Sequence, residues 1–119
     1  MRKTMLTALL ALALLLVAGM VYAKNDNILS FEVSPNPMDK ECTISLVFQA
    51  VNTTPISVVV ETVGGDLVRD LYTGQCGKVL VLNWDRLANN GLYAPNGTYF
   101  VSVNMGNRYT STKKTVILK

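Results

Sequence analysis

The sequence predicts an all-β sandwich of about seven short strands behind an apolar leader. Three observations carry this. Beyond residue 27, apolar and polar residues alternate in short runs, the period of half-buried strands. Clusters of Gly, Pro and Asn punctuate those runs where the chain must reverse. No apolar pattern of helical period occurs in the same region, so helix content is expected near zero.

The leader comes first. Arg2 and Lys3 precede an almost wholly apolar run from Leu6 to Val21, and Val21-Tyr22-Ala23 places small residues where a signal peptidase reads. Residues 1–23 are therefore expected to be a cleaved signal peptide, with 24–27 a polar tail and 28–119 the folded domain. The alternative is a retained single-span anchor, since Met5–Tyr22 approaches a membrane-spanning length. No cysteine lies near residue 23, so a lipoprotein anchor is not expected. Loss of Arg2 and Lys3 takes the formal charge from +3 to +1. Such a chain has no electrostatic claim on nucleic acid or anionic lipid. We expect it in the periplasm or outside the cell, without stable membrane insertion.

The strands follow in order. Ile28–Ser34 alternates Leu29, Phe31 and Val33 as its apolar side, and Pro35-Asn36-Pro37 stops it, because proline donates nothing to a ladder. Glu41–Ala50 sets Cys42, Ile44, Leu46 and Phe48 on one face. Ile56–Val63 points Ile56, Val58 and Val60 inward, and Gly64-Gly65-Asp66 closes a tight hairpin onto Leu67–Tyr72, with Val68 and Leu71 as core contacts. Lys78–Trp84 puts Leu80, Leu82 and Trp84 on one face. Thr98–Met105 does so with Tyr99, Val101 and Val103, and Thr110–Leu118 is the last strand.

Chemistry is hard to find. Histidine is absent, which removes the commonest general base and the commonest metal ligand. No glycine-rich phosphate loop runs from a strand into a helix. Glu32, Asp39, Glu41, Glu61, Asp66, Asp70 and Asp85 are scattered, and nothing pairs two of them for glycoside chemistry. Asp85, Asn89 and Asn90 supply oxygens but only one charge, without the spacing of a calcium loop. No catalytic residue, cofactor or metal is expected. Cys42 and Cys76 suggest a disulfide in an oxidising compartment. If 41–50 pairs antiparallel with 78–84, however, Cys42 lies beside Trp84 and Cys76 near Ala50, on the order of 20 Å apart. Free thiols are the expectation.

The order of motifs resembles a known family. Ser34-Pro35-Asn36-Pro37, Val58-x-Val60 with Gly65, Val68 and Leu71, then Trp84-Asp85 with Gly91, Gly97 and Tyr99, and finally Lys113-Lys114 before Val116-x-Leu118-Lys119, is similar to the FlgD-type immunoglobulin-like domain. The resemblance spans about Phe31 to Lys119 and implies an immunoglobulin/fibronectin-III-like sandwich. It also implies a non-catalytic structural or protein-interaction module at the cell envelope. Related domains serve as C-terminal secretion sorting signals, so recognition by a transport machine is the second expectation. The family commonly has Trp-Asp-Gly; here Arg86 follows Asp85, which calls for a turn a non-glycine residue can adopt.

Within this frame Trp84, Tyr99, Leu82, Ile44, Val58 and Val60 are the expected core. Tyr99 resembles a tyrosine corner, its hydroxyl bonding back to the backbone. The candidate interaction surface is the polar loop Arg86–Asn96, in which Leu87, Leu92 and Tyr93 have no strand to turn them inward and Arg86 would sit at the rim. The competing reading folds these side chains over Trp84 as a lid. A carbohydrate-binding module would instead need Tyr72, Tyr93 and Tyr109 aligned on one face.

Overall fold

A computed structural model describes residues 21–22, 27–106 and 111–119. The leader expected over 1–23 and the tail over 24–27 lie outside the described residues but for Val21, Tyr22 and Asn27. The elements are β1 (Val21–Tyr22), β2 (Ile28–Ser34), β3 (Cys42–Phe48), β4 (Ile56–Thr62), β5 (Leu67–Gly74), β6 (Val79–Trp84), β7 (Gly97–Met105) and β8 (Ser111–Leu118). Two antiparallel sheets form, ordered β1-β8-β7-β4-β5 and β2-β3-β6. No described residue is helical, as the missing helical period implies.

The alternating residues face each other between the sheets. Ile44, Leu46 and Phe48 from β3 meet Ile56, Val58 and Val60 from β4 and Val101 and Val103 from β7, and all are buried. Sheet-on-sheet packing of two such faces removes the apolar surface from water at about 25 cal/mol per Å2. The Cys42↔Trp84 and Ile44↔Leu82 register of β3 with β6 matches the pairing inferred for the cysteines, and both thiols are free.

Four details depart from the sequence reading. The β2–β3 register shifts between Ile28 and Ser30, so Ile28 packs on the core and Leu29 turns to solvent. A bulge of this kind interrupts the period of two that sets Leu29 on the side of Phe31 and Val33. Leu80 and Leu82 are only half-buried, because β6 is the outer strand of its sheet. β5 runs on to Gly74, two residues past the expected end. Met38, in a polar turn, is fully buried. There the β2–β3 connection bridges to β8 of the larger sheet: Met38 N donates to Ile117 O at 2.8 Å and Lys119 N to Met38 O at 3.0 Å, which seats the thioether in the core.

Candidate functional site

Two rings build the end of the sandwich where β6 hands over to β7. The Trp84 ring, wholly buried, donates Nε1–H to the Leu87 carbonyl at 2.9 Å. The Tyr99 hydroxyl donates to the Pro95 carbonyl at 2.6 Å, four residues back. Each aromatic therefore buries its ring and spends its polar atom on the loop between the strands.

The loop is tied elsewhere as well. Asp85 Oδ1 accepts from Leu87 N at 3.1 Å, an Asx-type turn. Ala88 N donates to Leu92 O and Gly91 N to Ala88 O, with Gly91 at φ 86°, a left-handed conformation that glycine adopts without a Cβ clash. Asn90 Oδ1 accepts from Leu92 N. Asn89 reaches across to β5: its N–H donates to Val68 O, its Oδ1 accepts from Asp70 N, and its Nδ2 donates to Asp70 Oδ2. One side-chain oxygen of each of Asp85, Asn89 and Asn90 thus accepts a backbone N–H within the fold. Among the described residues no group of three or more Cys, Asp or Glu is arranged to hold a metal.

Arg86 departs most from expectation. Its backbone takes φ 70°, the left-handed conformation that the family's common glycine would favour, so the expectation of a turn suited to a non-glycine residue is corrected. The side chain explains why arginine stands there. Nε donates to Ala94 O at 2.9 Å, Nη1 to Asp39 O at 2.8 Å and to Lys119 O at 3.2 Å, and Nη2 to Asn96 Oδ1. A planar fork with several donors satisfies carbonyls from three separate segments at once. Arg86 is a clamp under the loop; its guanidinium is engaged and is no rim contact.

The other loop candidates divide. Leu87 is half-buried and bridges to Tyr93 through the backbone, and Ala94, unremarked in the sequence, is buried against the core. Leu92 and Tyr93 project outward, 66% and 71% exposed. Together with Leu67, Val68, Ala88 and Pro95 they line an open groove of about 460 Å3 between the β4–β5 hairpin and the loop. Val63, also exposed, extends the apolar surface along that hairpin. The sequence places Leu67 only in a strand; its exposure follows from a place at the hairpin's exit, where no second sheet covers it.

The remaining candidates are scattered. Tyr72 packs against the core and gives its hydroxyl to the Gln75 carbonyl, so it shares no platform with Tyr93; Tyr109 lies outside the described residues. The Cys42 thiol is pushed up to about 11 by burial and, secondarily, by the neighbouring Glu41 carboxylate. The half-buried Cys76 accepts from Asn52 Nδ2 at 3.4 Å.

No family model and no curated protein matches the chain. Solved structures do. Dimeric latent PorU from Porphyromonas gingivalis superposes with a TM-score of 0.62 at 20% identity, over 74% of this chain and 9% of that one. FlgD from P. aeruginosa gives 0.52 at 17% identity, over 83% of this chain and 74% of that one. The chain thus spans about a tenth of PorU and about three-quarters of the FlgD chain. These likenesses show a shared fold, the immunoglobulin-like sandwich that the sequence resemblance implied.

Proposed function

We propose that this protein is an exported, non-catalytic interaction module that docks another protein at the cell envelope through the apolar groove beside Leu92 and Tyr93. The observation that carries the reading is the exposure of these two side chains on a loop hydrogen-bonded along its length. A loop held by Trp84, Tyr99, Asn89 and Arg86 loses little freedom when a partner arrives, so the apolar area it offers is converted into affinity with a small ordering cost. A volume of about 460 Å3 suits one or two apolar side chains of a partner segment. Asp66 and Asp70 lie exposed on β5 and its hairpin, which favours a partner with basic residues flanking its apolar ones.

A photoreactive phenylalanine analogue at position 93, in cells that export the protein, tests this. A discrete protein adduct supports the reading, and irradiation that yields none counts against it. A second reading is supported by the fold shared with a small segment of PorU and by the resemblance to secretion sorting domains. In that reading the groove is recognised by a transport machine. It is distinguished by the adduct's identity: a membrane-embedded transport component in place of a soluble or surface protein.

A further inference from the structure

Edge strands decide what else this sandwich can meet, because each presents unpaired N–H and C=O groups. The larger sheet is covered on both sides. Along β8, the Asn36 carboxamide behaves as a peptide group: Nδ2 donates to Thr115 O at 2.8 Å and Oδ1 accepts from Ile117 N at 2.9 Å. Met38 continues that cover, and Val21–Tyr22 pair with Lys114 and Lys113. On β5, Asn89 does the same for Val68 and Asp70, and two register shifts break the β4–β5 ladder. In the smaller sheet, β2 carries a register shift at Ile28/Ser30, and Pro35 and Pro37 follow its end.

β6 has none of these devices. Val79-Leu80-Val81-Leu82-Asn83-Trp84 contains no charge and no proline, and its pairing with β3 runs without a shift. The bond from Phe48 N to Lys78 O at 2.7 Å fixes the phase of the ladder. The even-numbered residues of β6 therefore exchange bonds with β3, and the N–H and C=O of Val79, Val81 and Asn83 point away from it. No cap, turn or loop hydrogen bond among the described residues reaches these groups. Val79 and Val81 are also 61% and 59% exposed on the outer face.

We infer that a second copy of this chain pairs with β6, antiparallel about a two-fold axis at Val81. That axis sets Val81 opposite Val81 of the second copy and Val79 opposite Asn83 of the second copy, so every outward peptide group finds a partner. Charge agrees with this arrangement. Lys78 and Asp85 bound the strand, and antiparallel pairing brings the lysine end of one copy beside the aspartate end of the other, with no charge between. The two smaller sheets become one continuous sheet. Because β6 leads into the loop with Leu92 and Tyr93, the pair carries its two grooves at opposite ends.

Sedimentation velocity from micromolar to millimolar concentration, with hydrogen exchange on the same samples, tests this. A monomer–dimer equilibrium is expected, with the Val79, Val81 and Asn83 amides gaining protection as dimer forms. Val81→Lys places two ammonium groups face to face and weakens dimerisation at least about tenfold, whereas Val81→Thr, still β-branched, dimerises like the unaltered chain. A chain monomeric throughout overturns the inference. So does a dimer indifferent to Val81→Lys, or one whose three amides exchange as in the monomer. The amide measurement uses the unaltered chain, so it decides even if the lysine variant folds poorly.

Discussion

Trp84 meets Tyr99 edge to face, ring centroids 6.4 Å apart and planes at 69°. The contact joins the end of β6 to the start of β7, and so ties the smaller sheet to the larger. Each ring also holds the loop between those strands through its polar atom, Trp84 at Leu87 and Tyr99 at Pro95. Core and candidate binding surface thus share one pair of side chains. A change at either ring is felt in both.

Trp84→Ala is expected to cost about 3–5 kcal/mol, the usual loss for truncating a large buried aromatic, a substantial part of a small domain's stability. Urea unfolding measures it. A midpoint unchanged within error would mean the ring supports nothing.

Arg86 separates backbone from side-chain effects. Its left-handed conformation costs roughly 1–2 kcal/mol for a residue with a Cβ, offset by the hydrogen bonds of the guanidinium fork. Both Arg86→Ala and Arg86→Gly should destabilise the fold. The glycine variant should be the milder by about 1 kcal/mol, because it relieves the strain while losing the same bonds. Equal losses would show that the backbone conformation carries no cost.

The cysteines should differ in reactivity. In the folded protein burial first and the Glu41 carboxylate second push the Cys42 thiol up to about 11, so its alkylation should be slow at neutral pH and quicken only in strong alkali. Cys76 should react first, and both should react in denaturant without reductant. The linkage runs one way: between the ordinary thiol value of 9.0 and about 11, only the unfolded chain releases the Cys42 proton. This group therefore lowers stability as pH rises through that window and adds no pH dependence below it. Mass spectrometry of the alkylated chain reads both sites; early labelling of Cys42 would show that it is not enclosed.

Much of this fold was legible, and what was not shares a cause. Alternation in Ile44, Leu46 and Phe48, or Val58 and Val60, is local and survives folding, so those residues face the core as the period of two requires. Leu29 escaped because a single bulge reverses every assignment upstream of it. Met38 and Arg86 escaped because they depend on partners from distant segments: Ile117 and Lys119 for one, Asp39 and Lys119 for the other, beside Ala94 in Arg86's own loop. A methionine in a proline-rich turn and an arginine in a polar loop look solvated until those carbonyls are brought together. Asn36 and Asn89 read as turn residues, although each caps a sheet edge far along the chain. Leu92 and Tyr93 could be marked because they lack a strand context; that Leu67 joins them required the hairpin to be folded.

The proposed docking role requires that Leu92 and Tyr93 serve a partner and not the core. A photoreactive residue at position 67, on the opposite wall of the groove, reports occupancy without altering either side chain. The decisive comparison is its adduct yield with and without the double change Leu92→Ser and Tyr93→Ser, beside the melting temperature of each protein. If Leu92 and Tyr93 form the docking surface, the adduct disappears while the melting temperature stays within about 4 °C, less than 1 kcal/mol for a domain of this size. An adduct that persists, or a melting temperature that falls by more than about 8 °C, rules that role out and makes these side chains part of the lid over Trp84.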